Sequence, residues 1–408
     1  MTMLQFDIVI VGNSAAGLQA IRTIRRHNRT VRVALVDREA CPAYSRVLTP
    51  YFIGGKTPRE NLYIVDLPFY DGMGVTTFFG KSAVSLDPER RELGLSDGTT
   101  LRFGSLLLAM GSEARPFKTG SRRISTLRHM ADAEKLASLL QPARSVTALG
   151  AGLVSVPVLS HLSRDVERHL IVASGRIFSR LLDAESAALL EEHFGTAGVT
   201  LHKHDEIAEV REGERLQLTL ASGGTLATDA LVVGKGVIPN TRLAAGAGLA
   251  VKDGILIDAR CRTSIPNVYA AGDAAEGKDF VTGETTVQGN WITAVEQGEV
   301  AACNMLGLEH VYEGSMKNNI TEVFGLEVAA IGFCSDEAPR SIVHGSPAAG
   351  RFRKVFLDER DRVIGAVVVG ETNDSGLYYQ MVRARLPFPG KRALQGENRY
   401  AGFMRQIA

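Results

Sequence analysis

A short apolar strand that runs directly into a glycine-containing turn constrains this sequence more than any other feature. Residues 8–11 are β-branched, residues 12–17 read Gly-Asn-Ser-Ala-Ala-Gly, and residues 18–27 are expected to form a helix. A second apolar strand over residues 31–36 ends at Asp37, 20 positions beyond the last glycine of the turn. Strand, turn, helix, strand and acid follow the order of a dinucleotide-binding βαβ unit. The pattern therefore predicts a Rossmann-like domain.

Each part of this turn has a physical task. Its two glycines allow a tight turn and close packing of the helix on the strand, and Ser14 stands where a third glycine is common. The helix N-terminus faces a pyrophosphate, and the acid binds a ribose hydroxyl pair. We expect the following residues to contact a dinucleotide: Gly12, Ser14, Ala15, Ala16, Gly17, Asp37 and Arg38.

The length, net charge and composition of the chain limit the class of protein to which it can belong. At 408 residues the chain predicts about two or three domains of roughly 150 residues each. Lys and Arg total 46 and Asp and Glu 45, so 46 − 45 gives +1, which argues against nucleic acid or a polybasic membrane surface as a partner. No apolar run approaches the ~18 residues of a membrane span. The 42 glycines, about a tenth of the chain against a usual ~7%, predict close backbone approaches to ligands.

The four cysteines are too scattered for a structural site. Cys41, Cys261, Cys303 and Cys334 form no closely spaced pair, which excludes a disulfide framework, a zinc knuckle or an iron–sulfur site within one chain. The N-terminal residues carry no basic stretch of the kind that opens a signal peptide. We therefore expect a cytoplasmic protein without a membrane span.

Two further segments make it possible to compare the sequence with a known family. Residues 106–112, Leu-Leu-Leu-Ala-Met-Gly-Ser, end a buried run in glycine, and residues 263–273 read Thr-Ser-Ile-Pro-Asn-Val-Tyr-Ala-Ala-Gly-Asp. With the N-terminal turn, these motifs resemble those of the pyridine nucleotide-disulfide oxidoreductases, flavoproteins that bind FAD and NAD(P)H. The resemblance covers nearly the whole chain. It implies that FAD is the cofactor, that NAD(P)H is the co-substrate, and that Asp273 binds a ribityl hydroxyl of FAD.

A second dinucleotide turn begins about 140 residues after the first. Residues 146–149 precede Gly-Ala-Gly-Leu-Val-Ser at 150–155, where the family places its NAD(P)H domain. Ser155 replaces the last glycine, and Pro157 stands at the family's usual Glu. The next strand, 170–173, ends without an acid, and Arg176 lies nearby. NADH, NADPH and a nucleotide domain kept only as a scaffold all remain open.

The resemblance implies an α/β fold. It consists of two Rossmann-like dinucleotide-binding domains, the NAD(P)H domain being inserted in the FAD domain, and a small α+β C-terminal interface domain. The predicted boundaries give an FAD-binding domain at 1–118 and 239–313, an NAD(P)H-binding domain at 119–238, and the interface domain with a basic tail at 314–408. Further cofactor-binding residues implied by the resemblance are Val84, Ala109, Gly111, Gly272, Gly150, Gly152, Val154 and Gly236.

The position of the family's redox cysteine holds another residue. In the coenzyme-A-disulfide reductase and NADH oxidase branch that cysteine stands three residues before a Pro-Tyr-x-Ile-Gly-Gly stretch; here the stretch begins at Pro50, and Val47 occupies the place. Valine cannot carry a thiolate. Instead, Tyr44-Ser45-Arg46 resembles rubredoxin and ferredoxin reductases and the flavin domains of nitrite reductases, which implies that Arg46 contacts FAD. We nominate no catalytic side chain and no metal ligand.

Electrons should therefore leave the flavin for a separate acceptor. The first hypothesis is the flavin subunit of a larger oxidoreductase, such as a phenylglyoxylate-type 2-oxoacid dehydrogenase, exchanging electrons with an iron–sulfur partner. The second is a stand-alone reductase of a rubredoxin- or ferredoxin-like carrier, or an NADH oxidase. The third is an FAD-stabilised assembly subunit without turnover. The partner predictions include a hetero-oligomeric complex or a homodimer.

Overall fold

Twenty-five strands and nine α-helices account for the regular structure of the described residues, which are 3–117, 120–346 and 350–388 of a computed structural model. The strands are β1 Met3–Val11, β2 Val33–Asp37, β3 Val75–Phe79, β4 Ala83–Asp87, β5 Glu92–Leu95, β6 Thr100–Leu108, β7 Ser112–Ala114, β8 Ile124–Ser125, β9 Ser145–Leu149, β10 Glu167–Val172, β11 Val199–Lys203, β12 Ile207–Arg211, β13 Leu216–Leu220, β14 Thr225–Thr228, β15 Ala230–Val233, β16 Val237–Pro239, β17 Ile255–Leu256, β18 Val268–Ala270, β19 Ala275–Lys278, β20 Thr285–Thr286, β21 Asn318–Val323, β22 Leu326–Gly332, β23 Arg340–Ser346, β24 Arg351–Leu357 and β25 Val363–Gly370. The helices are α1 Ala15–His27, α2 Thr49–Ile53, α3 Leu67–Gly72, α4 Met130–Leu140, α5 Ser155–His161, α6 Ala184–Thr196, α7 Arg242–Gly246, α8 Trp291–Met305 and α9 Ser375–Arg383.

The first sheet brings together the strands that precede the glycine turn at residues 12–17 and the Gly-Asp pair at 272–273. It has seven strands in the order β3-β2-β1-β6-β5-β4, with β18 also paired to β6. Strands β3, β2, β1, β6 and β18 run parallel, and β5 and β4 form an antiparallel edge. The carboxyl ends of β1 and β18 therefore lie on either side of β6, although more than 250 residues separate them in the sequence.

A second parallel sheet follows the same plan. Its five strands have the order β11-β10-β9-β15-β8, and a three-stranded antiparallel sheet of β12, β13 and β14 accompanies it. Strand β9 is buried throughout because apolar neighbours cover both faces, as expected for a parallel sheet between helices. The predicted α/β fold of two Rossmann-like domains is confirmed.

Two short crossover strands lie between the sheets. β7 leaves the first sheet and β16 returns to it, and they pair antiparallel with Val237 opposite Ala114. They lie close to the predicted domain boundaries at 118/119 and 238/239, which remain predictions, and residues 118–119 are outside the described part of the chain. Chain entry and exit thus run side by side, as an inserted domain requires.

The C-terminal part is an antiparallel sheet with one helix. Its five strands have the order β21-β22-β25-β24-β23, and α9 packs on the sheet through Tyr378, Met381 and Val382. The sequence indicates strands at 327–331, 351–357 and 363–369, which correspond to β22, β24 and β25, and it gives no comparable signal for β21 and β23. Most of the predicted basic tail, residues 389–408, lies outside the described residues. Among the described helices, none has both the length and the apolar character that crossing a bilayer requires.

A buried ion pair joins the C-terminal sheet to the part of the chain that contains the second parallel sheet. Lys354 on β24 donates to Asp183 at 2.5 Å and to Glu185 at 2.7 Å, and the Asp183 side chain is fully buried. Burial disfavours the ammonium, but the hydrogen bonds that it donates to both carboxylates outweigh this effect and raise the pKa of Lys354. Strand β21 of the same sheet contributes residues 318–322 to the cleft described below.

Replacing Lys354 by methionine should destabilise the protein because Asp183 would remain buried without a counter-charge. We expect Lys354→Met to lower the free energy of unfolding by about 3 kcal/mol. Urea denaturation followed by circular dichroism measures this. The matched variant Lys235→Met breaks an exposed pair with Glu206 and should cost at most about 1 kcal/mol. Equal losses for the two variants would contradict the assignment of Lys354 as a buried structural cation.

Candidate active site

A cleft of about 1420 Å³ lies where the three parts of the chain meet. This exceeds the ~300–1,000 Å³ typical of a site for one small ligand, so it has room for more than one such group. The predicted residues that line it are Gly12, Ser14, Ala15, Ala16, Asp37, Arg38, Arg46, Val84, Ala109, Gly111, Val154, Gly272 and Asp273. Gly17, Gly150, Gly152 and Gly236 are not among its lining residues.

The first glycine turn lets two strand ends touch. Gly12 has φ +115°, and a Cβ added there would lie 2.1 Å from the carbonyl oxygen of Ala109 at the end of β6. A Cβ at Gly17 would lie 1.9 Å from the Gly12 oxygen, so Gly17 serves the packing of α1 on the turn and does not face the cleft. Only glycine fits at either position, because any side chain would push backbone from backbone.

The N-terminus of α1 points into the cleft with its backbone N–H groups uncapped by the N-cap side chain. Ser14 is the N-cap residue, but its hydroxyl makes no capping hydrogen bond and instead accepts from Arg46 Nη1 at 2.8 Å. Unpaired N–H groups at the start of a 13-residue helix, beside a guanidinium, suit an anion such as a diphosphate.

Asp37 ends β2 beside this turn. Its Oδ2 accepts from the Asn13 N–H at 2.6 Å and its Oδ1 from the Glu39 N–H at 2.7 Å, which orients the carboxylate at the cleft wall. Burial raises the pKa of Asp37, although the two backbone hydrogen bonds act in the opposite direction. An oriented carboxylate at the end of the second strand is the group that accepts from ribose hydroxyls in dinucleotide sites.

Asp273 lies at the other end of the cleft, after β18. Its Oδ2 accepts from Arg128 Nη2 at 2.8 Å and from Ser112 Oγ at 2.9 Å. Gly272 adopts φ +72°, and its N–H donates to Gln297 on α8 at 2.8 Å. These contacts hold the turn so that the carboxylate faces the cleft.

Arg128 is a lining residue that sequence reasoning missed. Besides its ion pair with Asp273, its Nε donates to the Ser112 carbonyl at 2.6 Å, and its Nη2 would lie 3.2 Å from a Cβ at Gly111. Within the cleft lining, the side chain therefore links β7 to the turn after β18. It belongs to no glycine motif, and only its position just before α4, in the inserted domain, could have drawn attention to it.

A polar cluster of Arg38, Glu39, Arg46, Glu113 and His129 closes one side of the cleft. His129 lies 2.9 Å from Glu113 and 3.5 Å from Glu39, Arg46 pairs with Glu39 at 3.1 Å, and Arg38 pairs with Glu113. Burial opposes ionisation of Glu39, but hydrogen bonds from His129 and the backbone and the charge of Arg46 lower its pKa to about 2. Hydrogen bonding to Glu39, supported by Glu113, raises the pKa of His129 against the effects of burial and Arg38.

The position at which the family's redox cysteine is expected faces this same cleft. Val47 lines it and is 60% exposed. None of the four cysteines lines the cleft, and burial, with the charges of Glu39 and Asp37, raises the pKa of Cys41 to about 11. A thiol with so high a pKa is protonated at neutral pH and is a poor nucleophile.

The second dinucleotide turn repeats the geometry of the first. Gly150 has φ +93°, and a Cβ there would lie 2.4 Å from the Gly234 carbonyl oxygen at the end of β15. Ser155, in place of the last glycine, fits because Gly234 opposite it has no side chain; a Cβ there would lie 2.1 Å from the Ser155 hydroxyl. Gly236, φ +89°, returns the chain to the first sheet, and its carbonyl accepts from the Arg115 N–H at 2.9 Å.

The end of β10, which carries no acidic residue, is connected to the C-terminal part of the chain by an ion pair. Arg176 Nη1 donates to Asp336 at 2.8 Å, so this cation already has a carboxylate partner. On the cleft side, the second turn presents Leu153, Val154 and Pro157, all uncharged. Among the described residues, no three His, Cys, Asp or Glu side chains converge in the way that a metal ion would require.

Taken together, these features fit FAD. An uncapped helix N-terminus next to Arg46 suits its diphosphate, Asp37 suits a ribose, and Asp273 with Arg128 suits the polar ribityl chain. The uncharged wall from the second turn leaves room for a planar ring system. The assignment of individual contacts stays a prediction.

Comparison with known proteins gives the same picture. The family model described as pyridine nucleotide-disulphide oxidoreductase matches residues 6–298. The NADH-dependent phenylglyoxylate dehydrogenase subunit epsilon of Aromatoleum evansii is 30% identical over 386 residues, which cover 92% of this chain and 91% of that protein. The ferredoxin–NAD(+) reductase component of the biphenyl dioxygenase system of Paraburkholderia xenovorans is 28% identical, with 93% of each chain covered.

Other matches concern longer proteins or the fold alone. The chain spans about half the length of several curated relatives, among them subunits of nitrate and nitrite reductases. The crystal structure of a covalent putidaredoxin reductase–putidaredoxin complex superposes with a TM-score of 0.91 over 99% of both chains at 23% identity, which establishes the fold.

Substituting Gly12 tests the turn that places α1 at the cleft. In Gly12→Ala the new Cβ would collide with the Ala109 carbonyl and occupy a left-handed backbone conformation, so the strand ends must separate. Strain of 1–3 kcal/mol at this turn should weaken FAD binding by about tenfold or more. The FAD content of the purified protein and the dissociation constant from fluorescence titration measure this. Gly195→Ala, in α6 with no neighbour near its Cβ, is the control and should retain FAD. Full FAD retention by Gly12→Ala would show that this contact is dispensable.

The polar cluster makes a pH-dependent contribution to stability through His129. Because its pKa is raised in the folded protein, the protonated form stabilises the fold fully below the ordinary value of 6.5, and this contribution is lost as the pH rises through the raised pKa. The melting temperature of His129→Gln should therefore differ from wild type most at pH 5.5 and least at pH 9. His310→Gln, on an exposed residue, should show no such trend. A wild-type-to-His129→Gln difference that is constant with pH would contradict the charge assignment.

Proposed function

The chain belongs to the pyridine nucleotide-disulphide oxidoreductase family and is an FAD-dependent NAD(P)H oxidoreductase, and from this premise we propose that it exchanges electrons between NAD(P)(H) and the iron–sulfur centre of a partner protein. We infer further that it does so as the flavin subunit of a larger oxidoreductase. Bound FAD supplies the means to accept two electrons as hydride from a nicotinamide and to release them singly.

The observation that carries the proposal is the exposed Val47 in the cleft. A disulfide or peroxide reductase of this family needs a thiol beside the flavin, and here an aliphatic side chain occupies that position. The nearest cysteine along the chain, Cys41, does not line the cleft, and its pKa is raised. Without a thiol relay, electrons must pass directly from the flavin to an external acceptor.

The chain's own residues have binding and shielding tasks in this proposal. Arg46 and the α1 N-terminus neutralise the diphosphate of FAD. Asp37 orients its ribose, and Asp273 orients its ribityl chain. The apolar rim contributed by Val47, Leu153 and Trp291 limits water access. Hydride transfer depends on such positioning and on water exclusion more than on an acid–base side chain.

The choice of an iron–sulfur partner is supported by relatives of matching length. One relative is a subunit of an NADH-dependent phenylglyoxylate dehydrogenase and another is a ferredoxin–NAD(+) reductase component, and this chain covers more than nine tenths of each. The former has the higher identity, 30% against 28%, and supports the subunit role. The latter supports the alternative, a stand-alone ferredoxin or rubredoxin reductase.

Anaerobic titration of the FAD-loaded protein with NADH and with NADPH tests the enzyme assignment. We expect the flavin absorbance to bleach with at least one nicotinamide, and the reduced protein to reduce an added ferredoxin but not a small disulfide such as that of coenzyme A. A flavin that neither nicotinamide bleaches would overturn the enzyme reading in favour of a non-catalytic assembly subunit. Rapid reduction of the disulfide would contradict the proposed absence of a thiol relay.

Purification of the tagged chain from its native host separates the two partner arrangements. Recovery in a stoichiometric complex with iron–sulfur subunits is the expected result for a flavin subunit. Recovery alone, with rapid turnover on a free ferredoxin, would instead favour the stand-alone reductase.

A further inference from the structure

Two aromatic side chains from different domains meet inside the cleft. The ring centroids of Tyr51 on α2 and His161 on α5 are 3.9 Å apart, with an angle of 41° between the rings, and both residues line the cleft. His161 lies one helical turn beyond Pro157 on α5, and Tyr51 follows Val47 by four residues, across the junction of a short 3-10 helix at Arg46–Leu48 with α2; Pro157 and Val47 also line the cleft. Neither residue belongs to a dinucleotide motif.

Backbone contact fixes this meeting point. A Cβ at Gly54, just after α2, would lie 2.4 Å from the His161 carbonyl oxygen, so α2 and α5 touch backbone to backbone there. His161 is only 3% exposed. The two dinucleotide domains thus have a close backbone contact three residues from Tyr51.

His161 is held as a neutral ring. Lys56 Nζ lies 3.1 Å from His161 Nδ1, and an ammonium can only donate to that nitrogen, which leaves the imidazole proton on Nε2. Burial, together with the Lys56 charge, lowers the pKa of His161 to about 4, against a smaller opposing effect of Glu322. At neutral pH the ring that supports Tyr51 therefore carries no charge.

We propose that Tyr51 and His161 form an aromatic clamp that positions the nicotinamide ring of NAD(P)H for transfer to the flavin. In this clamp Tyr51 offers its aromatic face to the nicotinamide, and His161 is a positioning residue that holds Tyr51. The inference rests on the proposed function, because it names the subsite at which that function's electron donor binds.

The charge change of the reaction explains the choice of side chains. NAD(P)H is oxidised when it passes a hydride, one proton with two electrons, to FAD, which is reduced; the nicotinamide ring becomes a cation. An aromatic face attracts a cation, with about 0.5–2 kcal/mol of stabilisation. His161 is neutral and Pro157 is uncharged. The Lys56 ammonium contacts His161 Nδ1, while the charges that act on Tyr51 itself are the carboxylates of Glu322 and Glu327. The clamp should thus bind the oxidised ring and the transition state better than the reduced ring.

Leucine and phenylalanine at position 51 separate this role from simple packing. Tyr51→Leu keeps an apolar side chain but removes the aromatic face, whereas Tyr51→Phe keeps that face. In anaerobic stopped-flow experiments we expect Tyr51→Leu to lower the limiting rate of flavin reduction by NADH about tenfold, and Tyr51→Phe to recover most of it. The dissociation constant for NAD⁺, measured by calorimetry on the oxidised holoenzyme, should rise severalfold in Tyr51→Leu alone.

A spectroscopic readout tests the positioning by His161. If the clamp stacks NAD⁺ on the reduced flavin, the complex should show long-wavelength charge-transfer absorbance, which His161→Leu and Tyr51→Leu should both diminish at unchanged FAD content. Tyr63→Leu, on a tyrosine of the same domain outside the cleft lining, is the matched control and should leave the rate, the NAD⁺ affinity and the band unchanged.

The outcomes distinguish the clamp from the function on which it rests. A wild-type flavin that no nicotinamide reduces overturns both. A normally reduced wild type with unaltered rate, NAD⁺ affinity and absorbance in Tyr51→Leu overturns the clamp alone. Loss of FAD from Tyr51→Leu, with normal reduction of the fraction that remains loaded, also overturns it, since Tyr51 would then serve only to retain the cofactor.

Discussion

The contact between Gly12 and the carbonyl of Ala109 is the constraint on which the cleft depends. Because no side chain separates them, β1 and β6 end against each other and α1 starts directly above, with its N-terminus turned to the cleft. The same approach, Gly150 against Gly234, recurs in the second domain. Two backbone contacts that only glycine allows therefore build two dinucleotide platforms, and the paired crossover strands set them side by side.

Charges in the cleft are paired in a way that a ligand can exploit. Arg128 and Ser112 hold Asp273, while Arg46 is shared between Glu39 and Ser14. Each of these cations and anions is only partly buried, so water screens the pairs and a cofactor hydroxyl or phosphate can replace one partner at modest cost. Fully buried pairs such as that of Lys354 lie away from the cleft, where rigidity is what matters.

The sequence predicts the fold and much of the lining because glycine turns and parallel strands are local patterns with fixed geometric consequences. Gly12, Asp37 and Asp273 come together because all three follow strands of one sheet, which motif order reveals. Arg128 could not be found this way, since its approach to Asp273 depends on how an inserted domain returns over the first. The strands β21 and β23 were missed because their partly exposed, polar sequences lack clear alternation.

The replacement of a thiol by Val47 is best understood together with Tyr51, four residues further along the chain. A valine at position 47 cannot relay electrons as a thiol does. Its exposed aliphatic side chain has no evident role of its own beside the proposed flavin site. Tyr51, backed by the neutral His161, places an aromatic surface on the same wall of the cleft. Under the proposed function, the wall on which Val47 replaces the thiol can therefore hold the electron donor instead of a redox cysteine.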